Sequence, residues 1–396
     1  MFFFDEKIMD QMIYVDNAAT TKLDDSALEA MLPWLKEEYG NPSQPYSFSR
    51  KVRQAIKEAR ETIASCINAS PDEIYFTSGG TESDNWAIKS IGDDSAEKII
   101  VTSVIEHHAV LNACKRMQTR GNYVEYLAVD KEGVVSPQNL ALALNAVKKR
   151  SQALNKTILV SIMMANNEIG TVEPIRELVE VAHSQGAFFH TDAVQALGHL
   201  PVDVKKLDVD VLSASAHKFN GPKGVGFLYV RKGVPILPYN EGGAQEHNFR
   251  AGTENVAGIV GMATALKKNC MGIFQNSKHL FALEERLIQG LESVDYIRNG
   301  AMNHIPGNVS LSFKNADGEA ILHRMDLMRI CISTGAACDS ANTQVSHVIK
   351  ALGVLEDYAK GTIRISLGKD NTVDEVDAVV AALIRIVGDC HKANMD

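Results

Sequence analysis

The regular exchange of short apolar runs with helix-patterned stretches between residues 73 and 230 limits this chain more than any other feature. Strand-like runs fall at Glu73–Thr77, Lys98–Ser103, Tyr123–Ala128, Thr157–Met163, Ala187–Thr191, Val209–Ala214 and Val225–Val230. Helical spacing separates most of the early ones, around Thr81–Lys89, Ala109–Thr119, Pro137–Val147 and Ile175–Ser184. Strands in a strand–helix–strand order run parallel and need both faces covered. The pattern therefore predicts an α/β fold with a seven-stranded, mostly parallel sheet.

Beyond about residue 260 the order changes. Amphipathic helical spacing over Val256–Val294 leads to a strand at Asn308–Phe313, a helix near Glu319–Met328 and a strand near Arg329–Ser333. A helix near Val345–Leu352, a strand at Thr362–Leu367 and a helix from Val373 to about Cys390 close the chain. Few strands among helices predict a smaller α+β domain. We expect a large domain over 24–260, a small C-terminal domain over 261–396, and an N-terminal segment, 1–23, packing near the small domain. With 396 residues, two cores are the natural division.

A net charge of −9 leaves no basic excess to displace phosphate counterions, which argues against non-specific nucleic-acid binding. No apolar run reaches membrane-spanning length; Val376–Val387 is interrupted by Asp377 and Arg385. Met1-Phe-Phe-Phe-Asp-Glu-Lys lacks the basic start and long apolar core of a signal peptide. The six cysteines contain no Cys-x-x-Cys pair, so neither a disulfide framework nor a zinc site is indicated. These features describe a cytoplasmic protein without a membrane or nucleic-acid partner.

The chemistry concentrates after the strands. Lys218, in Leu212-Ser-Ala-Ser-Ala-His-Lys-Phe-Asn-Gly-Pro-Lys-Gly224, lies just past a strand's C-terminal end, where α/β sheets bind ligands. A partly desolvated lysine there can form a Schiff base with a carbonyl cofactor; a surface lysine on an exit loop has the same sequence. In Phe76-Thr-Ser-Gly-Gly-Thr-Glu-Ser-Asp-Asn85, Gly79 and Gly80 admit a ligand close to the backbone, Thr81 can cap the next helix, and Asp84 completes a capping-box spacing. That suits phosphate binding, and equally a tight strand-to-helix turn. Asp192, in His190-Thr-Asp-Ala-Val-Gln195, is placed to keep a heterocyclic nitrogen protonated or to cap a helix. His107, in Ile105-Glu-His-His-Ala109, could stack on a planar ring or move protons; adjacent His107 and His108 do not share a helix face, which disfavours a metal. Cys338 sits in the small-residue run Ser333-Thr-Gly-Ala-Ala-Cys-Asp-Ser340, suited to an accessible loop, whereas Cys66, Cys114, Cys270, Cys331 and Cys390 stand in apolar or helical settings that predict burial. Arg364 inside Thr362-Ile-Arg-Ile-Ser-Leu367 must face solvent, an ion-pair partner or a substrate carboxylate.

Taken together, Tyr-Val-Asp-Asn-Ala-Ala-Thr-Thr, Thr-Ser-Gly-Gly-Thr-Glu-Ser-Asp-Asn, Asn-Asn-Glu-Ile-Gly, Ser-Ala-His-Lys and Arg-Ala-Gly-Thr-Glu-Asn occur in the order seen in pyridoxal-phosphate-dependent cysteine desulfurases of the NifS/IscS group, which this chain resembles from about Tyr14 to Asp389. The resemblance implies the fold-type I transferase architecture and pyridoxal 5'-phosphate as cofactor. It implies that Lys218 carries the cofactor and moves the α-proton, and that Asp192 pairs with the pyridinium nitrogen. Gln195 and Asn167 would reach the ring's phenolic oxygen, and His107 would stack on the ring. Gly80, Thr81, Ser215 and His217 would bind the phosphate. Thr253 would reach the phosphate of a neighbouring subunit, making a homodimer. Arg364 and Asn167 would hold the carboxylate of L-cysteine, and Cys338 would accept its sulfur as a persulfide.

The sulfur acceptor implied is a protein such as an iron–sulfur scaffold or a thiolation enzyme. Tyr46 stands where the group often has histidine, and Ala216 where it often has glycine. The chain ends at Asp396, without the longer tail many members use to dock a scaffold. Selenocysteine lyase, or another class V enzyme, would keep the cofactor and change the reaction, although a simple transaminase has no need of a cysteine nucleophile such as Cys338. A cofactor-free sulfur-carrier module would not need Lys218, Asp192 and the Gly-Gly-Thr turn together. A nicotinamide dehydrogenase is disfavoured, because Gly79-Gly80 does not extend to Gly-x-Gly-x-x-Gly.

Overall fold

The computed structural model describes residues 12–92, 97–151, 156–334 and 345–393. The chain opens with β1 (Ile13–Tyr14), α1 (Asp25–Lys36), α2 (Arg50–Cys66), β2 (Ile74–Thr77) and α3 (Gly80–Ser90). It continues through β3 (Lys98–Ser103), α4 (His108–Thr119), β4 (Tyr123–Leu127), α5 (Pro137–Ser151), β5 (Thr157–Ser161) and α6 (Ile175–Ser184). Next come β6 (Phe188–Asp192), α7 (Val204–Leu207), β7 (Val211–Ser215), β8 (Gly226–Val230) and the long α8 (Val256–Gly290). The remainder is β9 (Tyr296–Asn299), β10 (Asn308–Phe313), α9 (Gly318–Leu327), β11 (Ile330–Cys331), α10 (His347–Leu352), α11 (Glu356–Ala359), β12 (Thr362–Ser366) and α12 (Val373–Ala393).

Seven strands make one sheet in the order β2-β8-β7-β6-β5-β3-β4. The pairs from β7 through β4 are parallel, while β8 runs antiparallel to both β2 and β7. β3, β7 and β8 are buried at every position, as strands covered on both faces must be. The parallel order brings the C-terminal ends of β3, β5, β6 and β7 to one edge of the sheet, the edge where α/β folds place ligands.

Two large apolar cores flank α8. The first joins Ile63 of α2, Leu178 of α6, Phe189 and Leu212 of the sheet, and Ile259, Met262 and Leu266 of α8. The second joins Leu280, Leu283 and Leu287 of α8 with Leu311 and Phe313 of β10, Ile365 of β12 and Leu383 of α12. α8 is therefore one unbroken helix whose two halves serve different cores. Ile13 and Val15 belong to the second core, and β1 pairs with β11. The second core is backed by the antiparallel sheet β12-β10-β9. β9 carries no sequence signal because its first three residues, Tyr296, Ile297 and Arg298, are all half-buried and no in–out alternation marks them. Asp24 caps α1, its Oδ1 accepting from Ser26 N at 3.0 Å.

Gly226 of β8 marks the closest backbone approach near the large sheet's ligand edge. A Cβ there would lie 2.3 Å from Ala214 O and 2.7 Å from Gly79 Cα, and backbone atoms cannot step aside as side chains do. Gly226→Ala is expected to lower stability by about 1–3 kcal/mol in denaturant titration. A loss below about 0.5 kcal/mol would show that the two strands can part at this point.

Candidate functional site

The site grows from the ends of the central strands. Asp192 ends β6, and Ser215 ends β7, whose Ser213 is the register partner of Asp192. Past Ser215 the chain makes a single 3-10 turn, Ala216–Lys218. This turn aims the Lys218 amine at the N-terminal segment, where Nζ donates to Ala18 O at 2.5 Å and to Ala19 O at 2.9 Å. Gln195 Nε2 donates to the same Ala18 carbonyl at 2.9 Å. Asp192 is buried and its Oδ1 accepts from Val194 N at 2.9 Å. Burial pushes its carboxyl up to about 6, against the pull of the Val194 amide and the Lys218 charge. A buried carboxylate in that condition gains from a cationic partner.

The turn between β2 and α3 departs from the capping that its sequence predicts. The spacing of Thr81 and Asp84 is that of a capping box; instead Gly79 occupies the cap position, with φ +149°, and no side chain caps the helix. The reason is steric and conformational: only glycine adopts that backbone easily. The N–H groups of the first turn are left without side-chain acceptors, which is the condition for an anion site. They face a cleft of about 380 Å³ lined by Thr20, Ser78, Gly79, Gly80, Thr81, Glu82, Ser215, His217, Lys223 and Gly224. A Cβ on Gly80 would meet Val194 Cγ2 at 2.6 Å, so the turn has no room for a side chain. His217 Nδ1 lies 3.1 Å from Thr20 Oγ1, and burial with the nearby Lys218 and Lys223 charges lowers its pKa to about 4. Hydroxyls, a lysine and free helix N–H groups form a donor set that fits a phosphate.

His107 sits at the start of α4, its Nδ1 accepting from Ala109 N at 3.1 Å. Burial, reinforced by Lys218, His108 and His347, lowers its pKa to about 4. The ring is thus neutral at pH 7 with its proton on Nε2. Arg364 is buried in β12; Nη2 donates to Asp16 Oδ1 at 2.6 Å and Nη1 to Asn167 O at 2.9 Å. Of the alternatives open for Arg364, an internal ion pair is present, while its Nε is buried with no partner. Asn167 meets Arg364 through its backbone carbonyl.

Thr253 is exposed and does not line this cleft. Cys338 lies outside the described residues. The chain on either side of that segment is well tied: Ser333 exchanges backbone hydrogen bonds with Arg364 at 3.1 and 2.7 Å, and Ser346 Oγ donates to Glu168 Oε2 at 2.6 Å. His347 Nε2 donates to Glu106 O at 3.1 Å, with its ring 4.9 Å from that of His108. Of the cysteines expected to be buried, Cys114 is, but Cys66, Cys270 and Cys331 are partly exposed, Cys66 and Cys270 at the margin of the first core; the Cys390 side chain lies outside those described. Among the described residues no cluster of three or more His, Cys, Asp or Glu is placed to hold a metal, and no helix is long and apolar enough to cross a membrane.

Sequence reasoning missed Asp16, the carbonyls of Ala18 and Ala19, and Glu106. The two alanines act through backbone carbonyls, which residue identities do not advertise, and Asp16 acts through a carboxylate whose partner, Arg364, lies far away in sequence. Glu106 stands in a turn that resembles solvent-facing loop, yet it is buried and bonded by Ser103 Oγ at 2.6 Å and Met163 N at 3.0 Å.

Residues 13–379 match the family model described as Aminotransferase class-V. The chain is 47% identical over 384 residues to a cysteine desulfurase IscS of Dictyoglomus turgidum, covering 96% of this chain and 95% of the relative. It is 46% identical over 379 residues to a cysteine desulfurase IscS of Methanosarcina thermophila, covering 95% and 92%. A solved structure described as a NifS-like protein superposes with a TM-score of 0.87 at 38% identity, covering 96% of this chain and all of that one.

Burial raises the Glu106 carboxyl to about 8. The folded protein therefore keeps a proton that the unfolded chain releases above about pH 4.3, so this contribution is full at low pH and is lost as pH rises through 8. Glu106→Gln is expected to flatten the decline in stability between pH 5 and pH 9 in urea titrations. An unchanged decline would place its origin elsewhere.

Proposed function

The chain belongs to the class-V aminotransferase family, and on that premise we propose that it is a cysteine desulfurase, converting L-cysteine to L-alanine and passing the sulfur on as a persulfide. The observation that carries this reading is the convergence of an oriented lysine, a buried carboxylate and an uncapped helix N-terminus at one sheet edge. Pyridoxal 5'-phosphate, when bound, supplies an aldehyde and an electron sink for amino-acid chemistry.

The N–H groups of Gly80 and Thr81, with Ser215 and His217, hold the phosphate. Asp192 holds a positive charge at the ring nitrogen, and the neutral His107 ring covers the ring face. Gln195 and Asn167 serve the phenolic oxygen. Lys218, its amine already oriented by the Ala18 and Ala19 carbonyls, would hold the aldehyde end of the group and would move the substrate's α-proton. Arg364, with Asn167, receives the substrate carboxylate, for which its unpartnered Nε offers a donor.

Cys338 then attacks the substrate sulfur as thiolate. The new S–S bond forms as the C–S bond breaks, and the three-carbon fragment takes up a proton on its way to alanine. At an ordinary thiol pKa of roughly 8.5 only a few per cent is thiolate at pH 7, so the rate follows any lowering at this site. Thr253 of one subunit completes the phosphate site of a second, making a homodimer. The acceptor is a sulfur-receiving protein such as an iron–sulfur scaffold or a thiolation enzyme, and the setting is cytoplasmic.

The test is the visible absorption of purified protein before and after L-cysteine, with alanine assayed. A cofactor band that responds, with alanine formed, supports the reading. A band without alanine, or activity confined to selenocysteine, overturns the substrate assignment, and no band after adding pyridoxal phosphate overturns the cofactor. Cys338→Ser is expected to keep the band and lose alanine formation by at least about a hundredfold; normal alanine output would remove Cys338 from the mechanism. Arg364→Ala is expected to raise KM for L-cysteine about tenfold or more, the effect of losing a charge-assisted contact to the substrate carboxylate.

A further inference from the structure

Beneath Asp192 a second buried carboxyl has no evident use. Asp84 projects from α3 toward the sheet, is 1% exposed, and its Oδ1 has no hydrogen-bond partner. Its one neighbour at ion-pair range among the described residues is His190, whose Nε2 is 3.7 Å away, too far for a hydrogen bond. The His190 ring is itself fully engaged across three strands: Nδ1 lies 2.9 Å from Ser161 Oγ of β5, and Nε2 lies 2.9 Å from Ser213 Oγ of β7. Ser213 is also the side chain that offsets burial of the Asp84 carboxyl, and it is the register partner of Asp192. His190 precedes Asp192 by two residues, so both side chains leave the same face of β6. The groups therefore form one row: Asp84, Ser213, His190, Ser161, with Asp192 beside it.

Two carboxylates cannot both stay charged in such a place, and their surroundings decide which does. Asp192 has the Val194 amide and the Lys218 charge in its favour. Asp84 faces burial, the Asp192 charge and, more weakly, Glu106, with only Ser213 in compensation. Burial keeps His190 neutral, so it supplies no counter-charge.

We propose that Asp84 is a positioning residue that keeps its proton, donates it to Ser213, and so leaves Asp192 as the one carboxylate charge beneath the ring nitrogen. This rests on the cofactor site proposed above. A protonated Asp84 sets the direction of the whole row: Asp84 donates to Ser213, Ser213 donates to His190 Nε2, and His190 Nδ1 donates to Ser161. An ionised Asp84 would reverse every bond and move the His190 proton to Nε2.

The experiment uses the full-length protein with pyridoxal phosphate, reading its dissociation constant and the pH midpoint of the visible band. Asp84→Asn, whose amide donates as the acid does, is expected to stay within about twofold of the parent in affinity, with an unmoved midpoint. Asp84→Ala, which breaks the row, is expected to bind about tenfold more weakly and to shift the midpoint. The proposal is overturned if the Asn variant falls as far as the Ala variant, or if neither moves. Should the variants not fold, the nitrogen-15 spectrum of His190 in the parent protein decides: a proton on Nδ1 supports the proposal and a proton on Nε2 overturns it. That spectrum can be taken without cofactor, so its outcome is separate from failure of the parent protein to bind pyridoxal phosphate.

Discussion

The grip of the segment after β1 on residues distant in sequence is the constraint on which the site depends. The carbonyls of Ala18 and Ala19 orient the Lys218 amine, and the Ala18 carbonyl also takes Gln195. Asp16 takes Arg364, while Asn17 Nδ2 donates to Ser366 O at 3.0 Å. Thr21 Oγ1 donates to His217 O at 2.9 Å and accepts from Asn220 N at 2.8 Å. Asp24 then receives Lys268 and Lys369 at 2.8 and 2.9 Å; although burial acts upward on its carboxyl, these bonds and that from Ser26 hold it well below the usual carboxylate range. One short stretch thus positions groups from the turn after β7, from β12 and from α8. Because Ile13 and Val15 are locked into the second core, the strap cannot slide without losing apolar burial.

Charge around this strap is arranged by exclusion of water more than by direct pairing. Glu106, Asp84 and Asp192 are all pushed upward by burial, and His107, His190 and His217 are all pushed downward. Both trends favour the uncharged form, so the region carries far fewer charges than its residue types suggest. Lys218 and Asp192 then act at short range in a medium that weakens their attraction little. The cofactor proposed above, with a cationic ring nitrogen and an anionic phosphate, would suit that arrangement, the buried Asp192 carboxyl lying at one end and the uncapped α3 N-terminus at the other.

The large sheet was legible because buried parallel strands write long apolar runs, and each of the seven runs became a strand. β9 was hidden by half-burial, and the amphipathic spacing over Val256–Val294 did not mark a single helix because its apolar face changes partner between Leu266 and Leu280. Lys218 and Asp192 announced themselves by standing at strand ends. The capping of α3 did not: Thr81 and Asp84 have the right spacing for a capping box, but the φ of Gly79 and the burial of Asp84 are decided by β6 and β7, which lie more than a hundred residues away in sequence.

A family resemblance can likewise name residues without explaining them. Arg364 is placed by the motif at a substrate carboxylate, yet it holds Asp16 and the Asn167 carbonyl. A buried guanidinium cannot stand unpaired while the site waits, because the desolvation of its charge must be offset. Asp16 keeps that charge satisfied, and the strap that carries Asp16 also carries the carbonyls gripping Lys218. On the proposed reading, a substrate carboxylate at Arg364 would act through Asp16 on the same strap that holds the lysine. The side chain that holds Arg364 and the carbonyls that hold Lys218 are thus joined through Asn17 and Ala18, and on that reading so are the two ends of the proposed reaction.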